Sequence, residues 1–243
     1  MRPLSTNDLV RIWELAQAQP PLERALTILA VGLPEMTRGE LAELSLGQRD
    51  SSLLSLREQT LGPELEGHAN CPQCEAGLQF TLRTEDLRLR ATPQPEELVL
   101  TVEEFTVWFR LPTSRDLAAV TGGDPATRGR RLAERCVVHA ERGGAHMAPE
   151  ELPEAVIERL AESIAQNDPQ AEMLVNLVCL ACGHRWQTPL DLASYFWTEI
   201  RALVRRTLYE VHALARAHGW SEGEILAMSA ARRQAYLEML DNG

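Results

Sequence analysis

Two Cys-x-x-Cys knuckles, Cys71-Pro72-Gln73-Cys74 and Cys179-Leu180-Ala181-Cys182, stand far apart in this chain. Such a turn aims two sulfurs at one point, and a closed tetrahedral zinc shell needs four, so neither knuckle suffices alone. Each knuckle is followed by a strand-like run and then an Asp-Leu: Gln79-Phe80-Thr81-Leu82 before Asp86-Leu87, and Arg185-Trp186-Gln187-Thr188 before Asp191-Leu192. The repeat reads as two halves of one zinc ribbon, split by the chain between them. The expected cofactor is one structural zinc held by Cys71, Cys74, Cys179 and Cys182; the alternatives are a redox disulfide pair or unmetallated thiols. Binding would offset the entropy of closing the intervening loop, a cost that grows slowly with length. An open catalytic zinc keeps three protein ligands and a water. The nearby His68 and His184 lie outside the paired spacing. Cys136, in an apolar helical stretch, reads as a small buried residue.

At 243 residues and 44% hydrophobic content the chain can bury a substantial core. No apolar run is long enough to cross a bilayer, and Met1-Arg2-Pro3-Leu4-Ser5 lacks a signal-peptide core, so no membrane contact and a cytoplasmic location are expected. The formal charge of −11 argues against a duplex-DNA binder, because phosphate contacts demand a basic face. Around the first knuckle Glu75, Glu85 and Asp86 nearly balance Arg83, Arg88, Arg90 and Arg185, so a ribbon that binds nucleic acid or transcription machinery is the second reading. All 24 basic residues are arginine, and without lysine there is no Schiff-base chemistry. The chain has no His-Glu-x-x-His, no Gly-x-Ser-x-Gly and no phosphate-cradling Gly-Lys-Ser/Thr. Glu103-Glu104 and Glu150-Glu151 lie near turns, where solvation explains them. No enzyme activity and no small-molecule substrate are expected.

The N-terminal region reads as helical. Thr6 or Asn7 caps a helix carrying Leu9, Ile12, Trp13 and Ala16; Pro20-Pro21 opens a second with Leu22, Ala25, Leu26 and Leu29; a third runs from Leu46 to Leu61 and stops at Gly62-Pro63. Between the knuckles, Leu98 to Val102 and Phe105 to Leu111 form a hairpin about Glu103-Glu104. Helices follow from Ser114, from Arg128 to Ala140 and from Glu154 to Gln166, with Gly122-Gly123 and Gly143-Gly144 as turns. After the second knuckle one long amphipathic helix runs from an Asp191 cap to Gly219. Ser221 and Ser229 cap two more.

The C-terminal runs Glu210-Val211-His212-Ala213-Leu214-Ala215, Gly219-Trp220-Ser221-Glu222, Glu224-Ile225-Leu226 and Arg232-Arg233-Gln234-Ala235-Tyr236-Leu237 resemble the signature of T-even-phage-type baseplate hub assembly chaperones. The paired knuckles, Cys182-Gly183-His184-Arg185-Trp186 and Phe196-Trp197-Thr198-Glu199-Ile200 resemble larger members carried by phage-like contractile injection gene clusters. The resemblance covers about half the chain. It implies a non-enzymatic role in building a baseplate, as a chaperone or as a permanent structural subunit, with baseplate, spike or tube subunits as partners.

The expected fold is α+β and mostly helical: a split four-cysteine zinc ribbon with an inserted β-hairpin and helical lobe, flanked by N- and C-terminal helices. The divisions are 1–66 helical, 67–92 first half-ribbon, 93–170 inserted lobe, 171–190 second half-ribbon and 191–243 helical. Trp197, Tyr209, Trp220 and Tyr236 are the candidate anchors for a partner, and Arg205 and Arg206, with Arg201, a candidate grip on an acidic one.

Overall fold

Helix α1 (Thr6–Ala16) begins at Ser5, whose Oγ accepts the Asp8 backbone N–H at 3.2 Å while the Asp8 carboxylate accepts the Ser5 N–H at 2.8 Å. The cap expected at Thr6 or Asn7 is thus one or two residues too late. A reciprocal cap needs an acidic or amide side chain three residues on, and only Ser5 has one. The computed structural model describes residues 1–89 and 97–241; Arg90 and the expected boundary between residues 92 and 93 lie outside them.

Helix α2 (Pro21–Gly32) starts on a proline whose missing N–H costs nothing in a first turn. A short helix α3 (Arg38–Glu43), absent from the sequence reading, is capped by the reciprocal pair Thr37 and Glu40, and α4 (Leu46–Leu61) by Ser45 and Gln48. Strands β1 (Glu64–Asn70) and β2 (Gly77–Arg83) pair antiparallel about the first knuckle, and a turn of helix, α5 (Thr84–Leu87), follows. Next come β3 (Leu98–Val102), β4 (Phe105–Phe109), α6 (Ser114–Thr121) and α7 (Arg128–Cys136).

The helix expected from Arg128 to Ala140 ends at Cys136, and Val137–Arg142 is strand β5. Val137-Val138 is β-branched, and the segment satisfies the free edge of β4, with Trp108 opposite His139 and Thr106 opposite Glu141. Gly143 and Gly144, with φ of 56° and 86°, turn the chain into β6 (Ala145–His146); two consecutive positive φ values are what a tight hairpin turn requires. Then follow α8 (Glu154–Asn167), β7 (Leu174–Val178), β8 (Arg185–Pro189), α9 (Leu192–His218), α10 (Glu222–Leu226) and α11 (Ala230–Asp241). Asp191 caps α9 by accepting the Ser194 N–H at 3.0 Å, and Gly219 closes it in the left-handed conformation.

Among the described residues the strands form three antiparallel sheets, β1-β2, β3-β4-β5-β6 and β7-β8. Buried apolar residues fall into two clusters. The larger joins Ile12 of α1, Leu26 and Leu29 of α2, Leu53 and Leu54 of α4 and Phe196 and Ile200 of α9 to Leu65 of β1 and Leu177 of β7. Both two-stranded hairpins therefore lean on one helical bundle. Arg57 of α4, 3% exposed in its side chain, reaches Glu199 of α9 through two hydrogen bonds of 2.6 and 3.0 Å, so its buried charge is paired.

The second cluster belongs to the inserted lobe: Phe105, Val107 and Phe109 face Leu152, Val156, Ile157 and Leu160. Beside it Asp116 accepts from Arg110 at 2.6 and 2.9 Å, from Arg135 at 3.3 Å and from the Thr113 N–H at 3.0 Å. The lobe leaves and re-enters at one place. The Leu89 N–H donates to Gln170 Oε1 at 2.8 Å, Gln170 Nε2 donates to the Leu87 carbonyl at 3.1 Å, and Asp168 accepts the Gly47 N–H at the start of α4 at 2.9 Å. Among the described residues no helix is long and apolar enough to cross a membrane.

Candidate metal centre

At the end of β1 the Cys71 N–H donates to the Ala76 carbonyl at 2.9 Å, and the Glu75 N–H donates back to the Cys71 carbonyl at 2.9 Å. At the end of β7 the Cys179 N–H donates to the His184 carbonyl at 2.8 Å, and the Gly183 N–H to the Cys179 carbonyl at 2.9 Å. The two turns share one hydrogen-bond pattern, position for position. In each, the residue after the second cysteine is left-handed: Glu75 at φ 60° and Gly183 at φ 74°. That conformation swings the second thiol back beside the first. The Cys-x-x-Cys spacing marks the cysteines but neither left-handed residue.

The larger apolar core docks the two hairpins so that their tips meet. Cys71 Sγ lies 3.7 Å from Cys182 Sγ, Cys74 Sγ lies 3.6 Å from Cys179 Sγ, and all four sulfurs fall within 4.8 Å of one another. Sulfurs at the corners of a tetrahedron, each about 2.3 Å from a central zinc, would be about 3.8 Å apart. The four cysteines can therefore hold a metal ion, and as free thiols they are too far apart for disulfide bonds. Cys71 and Cys179 are buried while Cys74 and Cys182 are exposed.

The surroundings of Cys179 and Cys182 set the acidities of their thiols apart. The N–H groups of Cys182 and Ala181 outweigh burial and bring the Cys179 thiol down to about 7. At Cys182 the His184 N–H favours the thiolate, yet the surrounding thiols of Cys74, Cys179 and Cys71, with burial, push it up to about 12. Cys74 is likewise raised: the Ala76 N–H and Cys182 favour its thiolate, but Cys179, burial and Cys71 prevail. Four like charges cannot gather at this spacing unless a cation sits among them. His184 stacks on Trp186, 5.9 Å between ring centres, instead of joining the sulfurs. Cys136 is elsewhere, at the end of α7 in the lobe, where burial pushes its thiol up to about 12 and leaves it inert.

A family model described as T4 bacteriophage base plate protein matches residues 26–197. The chain belongs to that family. The base plate match runs from within α2 to the first turns of α9 and so takes in both knuckles, both hairpins and the whole inserted lobe. The remainder of α9 with α10 and α11, where much of the sequence resemblance lay, falls beyond it. No curated protein and no solved structure matches the chain.

Among the residues expected to meet a partner, Trp197 lies inside the fold. It is 4% exposed in the larger core, with the Arg24 guanidinium 5.0 Å from its ring centre, because its place on α9 turns it toward α2. Trp220 lies 4.3 Å from the His218 ring and 4.8 Å from Tyr236, an aromatic cluster that fastens α11 to the end of α9. Arg206 pairs with Glu210 at 3.1 Å, and Glu210 also accepts from the buried Arg233 of α11 at 2.8 Å. Tyr209 is 70% exposed, and Arg205 is also exposed.

Proposed function

We propose that this protein is a non-enzymatic assembly factor or structural subunit of the base plate of a contractile phage tail-like particle. Its work is done through protein–protein contacts, on a scaffold stapled by one zinc ion. The single observation that carries this reading is the base plate family match, which spans the two knuckles and everything between them. The convergence of four sulfurs supports the staple: Cys71, Cys74, Cys179 and Cys182 fit a closed tetrahedral shell with no place left for a reacting water. Zinc there would contribute folding energy and hold the tips of the two hairpins together. The partners on this reading are neighbouring base plate, spike or tube subunits, met in the cytoplasm during assembly and retained in the particle if the role is structural.

The experiment is capture of the tagged full chain from cells that express it with the other base plate, spike and tube proteins of its own gene cluster. Retention of those subunits at a fixed stoichiometry is the expected result. Their absence, in preparations that contain zinc and are folded, would overturn the reading.

A further inference from the structure

Helix α9 carries a cationic stripe on an otherwise acidic molecule. Arg201, Arg205, Tyr209, His212 and Arg216 recur at three- and four-residue steps and are all exposed. At about 100° per residue they fall within an arc of about 80°, over roughly 22 Å of helix. The buried residues Ile200, Val204, Thr207 and Leu214 lie on the other side. Among the described residues none of the five stripe side chains has an ion-pair, hydrogen-bond or ring partner. The contrast is with Arg57, Arg110, Arg130, Arg142 and Arg233, each paired with a carboxylate. Arg206, just off the stripe, is taken by Glu210. Alongside runs a groove of about 610 Å³ between α9 and α11, with Arg205 and Tyr209 on one wall and Gln234 and Leu237 on the other.

We propose that this stripe and groove form the docking surface for an acidic helix of a partner protein, a reading that rests on the assembly role proposed above. Carboxylates four residues apart on such a helix rise about 6 Å, as Arg201 and Arg205 do, and one eleven residues further matches the roughly 16 Å from Arg205 to Arg216, so two antiparallel helices can put opposite charges in register. The groove admits an apolar side chain between the charges, and Tyr209 supplies contact area at small entropic cost. Charge complementarity selects an acidic occupant, and the chain's net charge of −11 disfavours a long polyanion such as nucleic acid, whose field extends well beyond the stripe.

The test uses the zinc-loaded full chain and fluorescence anisotropy with three labelled probes. These are an alanine-based helical peptide with glutamate at every fourth position and one central leucine, the same peptide with glutamine for glutamate, and a single-stranded oligonucleotide of similar length. The glutamate peptide binds, binds less tightly as salt rises from about 0.05 to 0.5 M, and loses about tenfold in affinity to a triple variant, R201A with R205A and R216A. The triple variant keeps the melting temperature and zinc content of the parent. Equal binding of the glutamine peptide, unchanged binding by the triple variant, or tighter stripe-dependent binding of the oligonucleotide overturns the proposal. Capture from the co-expressing cells separates the two readings. If the triple variant still retains the base plate subunits, the stripe fails and the base plate role stands. If the parent chain retains none, the base plate role fails while the peptide result still decides the stripe.

Discussion

The two hairpins that meet at the sulfurs are alike at their knuckles and inner faces and unlike elsewhere. Their knuckles share one hydrogen-bond pattern and one left-handed position, and each sends its inward side chains, Leu65 and Phe80 in one and Val175 and Leu177 in the other, to the same helical core. Their outward faces differ. On β1 that face is Glu64, Glu66, His68 and Asn70; on β7 it is Leu174, Asn176 and Val178, the two apolar residues with 43% and 46% exposure, leading to Leu180 at the knuckle tip with 97%. Bringing sulfurs to one point fixes the turn, and burying a core fixes the inner face. Neither requirement reaches the outer face, so sequence is free to differ there.

If the hairpins are two halves of one staple, breaking either should break both, and this is the largest effect expected. Cys71→Ser and Cys179→Ser should each take zinc from about one per chain to near zero, with matching falls in melting temperature. Elemental analysis beside thermal unfolding reads this. Two unequal losses, or a variant with its zinc intact, would show that the hairpins act separately.

The inserted lobe offers a perturbation that should leave the two hairpins equivalent. Burial raises the Asp116 carboxyl, but Arg110, the Thr113 N–H and hydroxyl and the charge of Arg110 outweigh it and hold it down at about 2. Because the folded value lies below the ordinary 3.8, its stabilisation is complete above about pH 4 and is lost as pH falls toward 2. The loss amounts to at most about 2 kcal/mol. Asp116→Asn should remove that amount at neutral pH and flatten the acid limb of a urea-unfolding profile, with zinc content at neutral pH unchanged.

A smaller effect separates the knuckles themselves. The position after the second cysteine is Gly183 in one and Glu75 in the other, both left-handed, and no atom lies close enough to Gly183 to clash with an added Cβ. Gly183→Ala should therefore cost about 1 kcal/mol through backbone strain alone, while Glu75→Gly should be neutral or stabilising by up to about 1 kcal/mol. Chemical denaturation of the two variants side by side would show whether the signs are opposite. Smallest of all, Leu180→Ser should change stability by less than about 0.5 kcal/mol, since nothing in the fold depends on so exposed a side chain. A larger change would mean that the outer face of the second hairpin serves the fold after all.

Much of this was legible beforehand because its causes are local. Helix α4 runs from Leu46 to Leu61 and α9 from the Asp191 cap to Gly219, as the caps and glycines imply. The β3-β4 hairpin turns where Glu103-Glu104 said it would. What misled were segments whose state is settled by neighbours. Val137–Arg142 has a helical run before it and becomes a strand because β4 offers an unpaired edge. Strands β1 and β7 passed unremarked, since Glu64–Asn70 alternates small and polar residues and gains its pairing only from β2. Periodicity shows that α9 has an apolar stripe, not what covers it, and so leaves the burial of Trp197 open.

Sequence alone determined the two Cys-x-x-Cys pairs, the Asp191 and Ser221 caps, the glycine turns and the acidic balance, because each depends on residues within a few positions of one another or on composition. Only tertiary structure decided that four sulfurs from two distant knuckles lie within 4.8 Å, that Trp197 is enclosed, and that Arg201, Arg205 and Arg216 have no partner among the described residues. Those outcomes depend on how separate elements pack, and packing sums many weak contacts between residues that the linear order keeps apart.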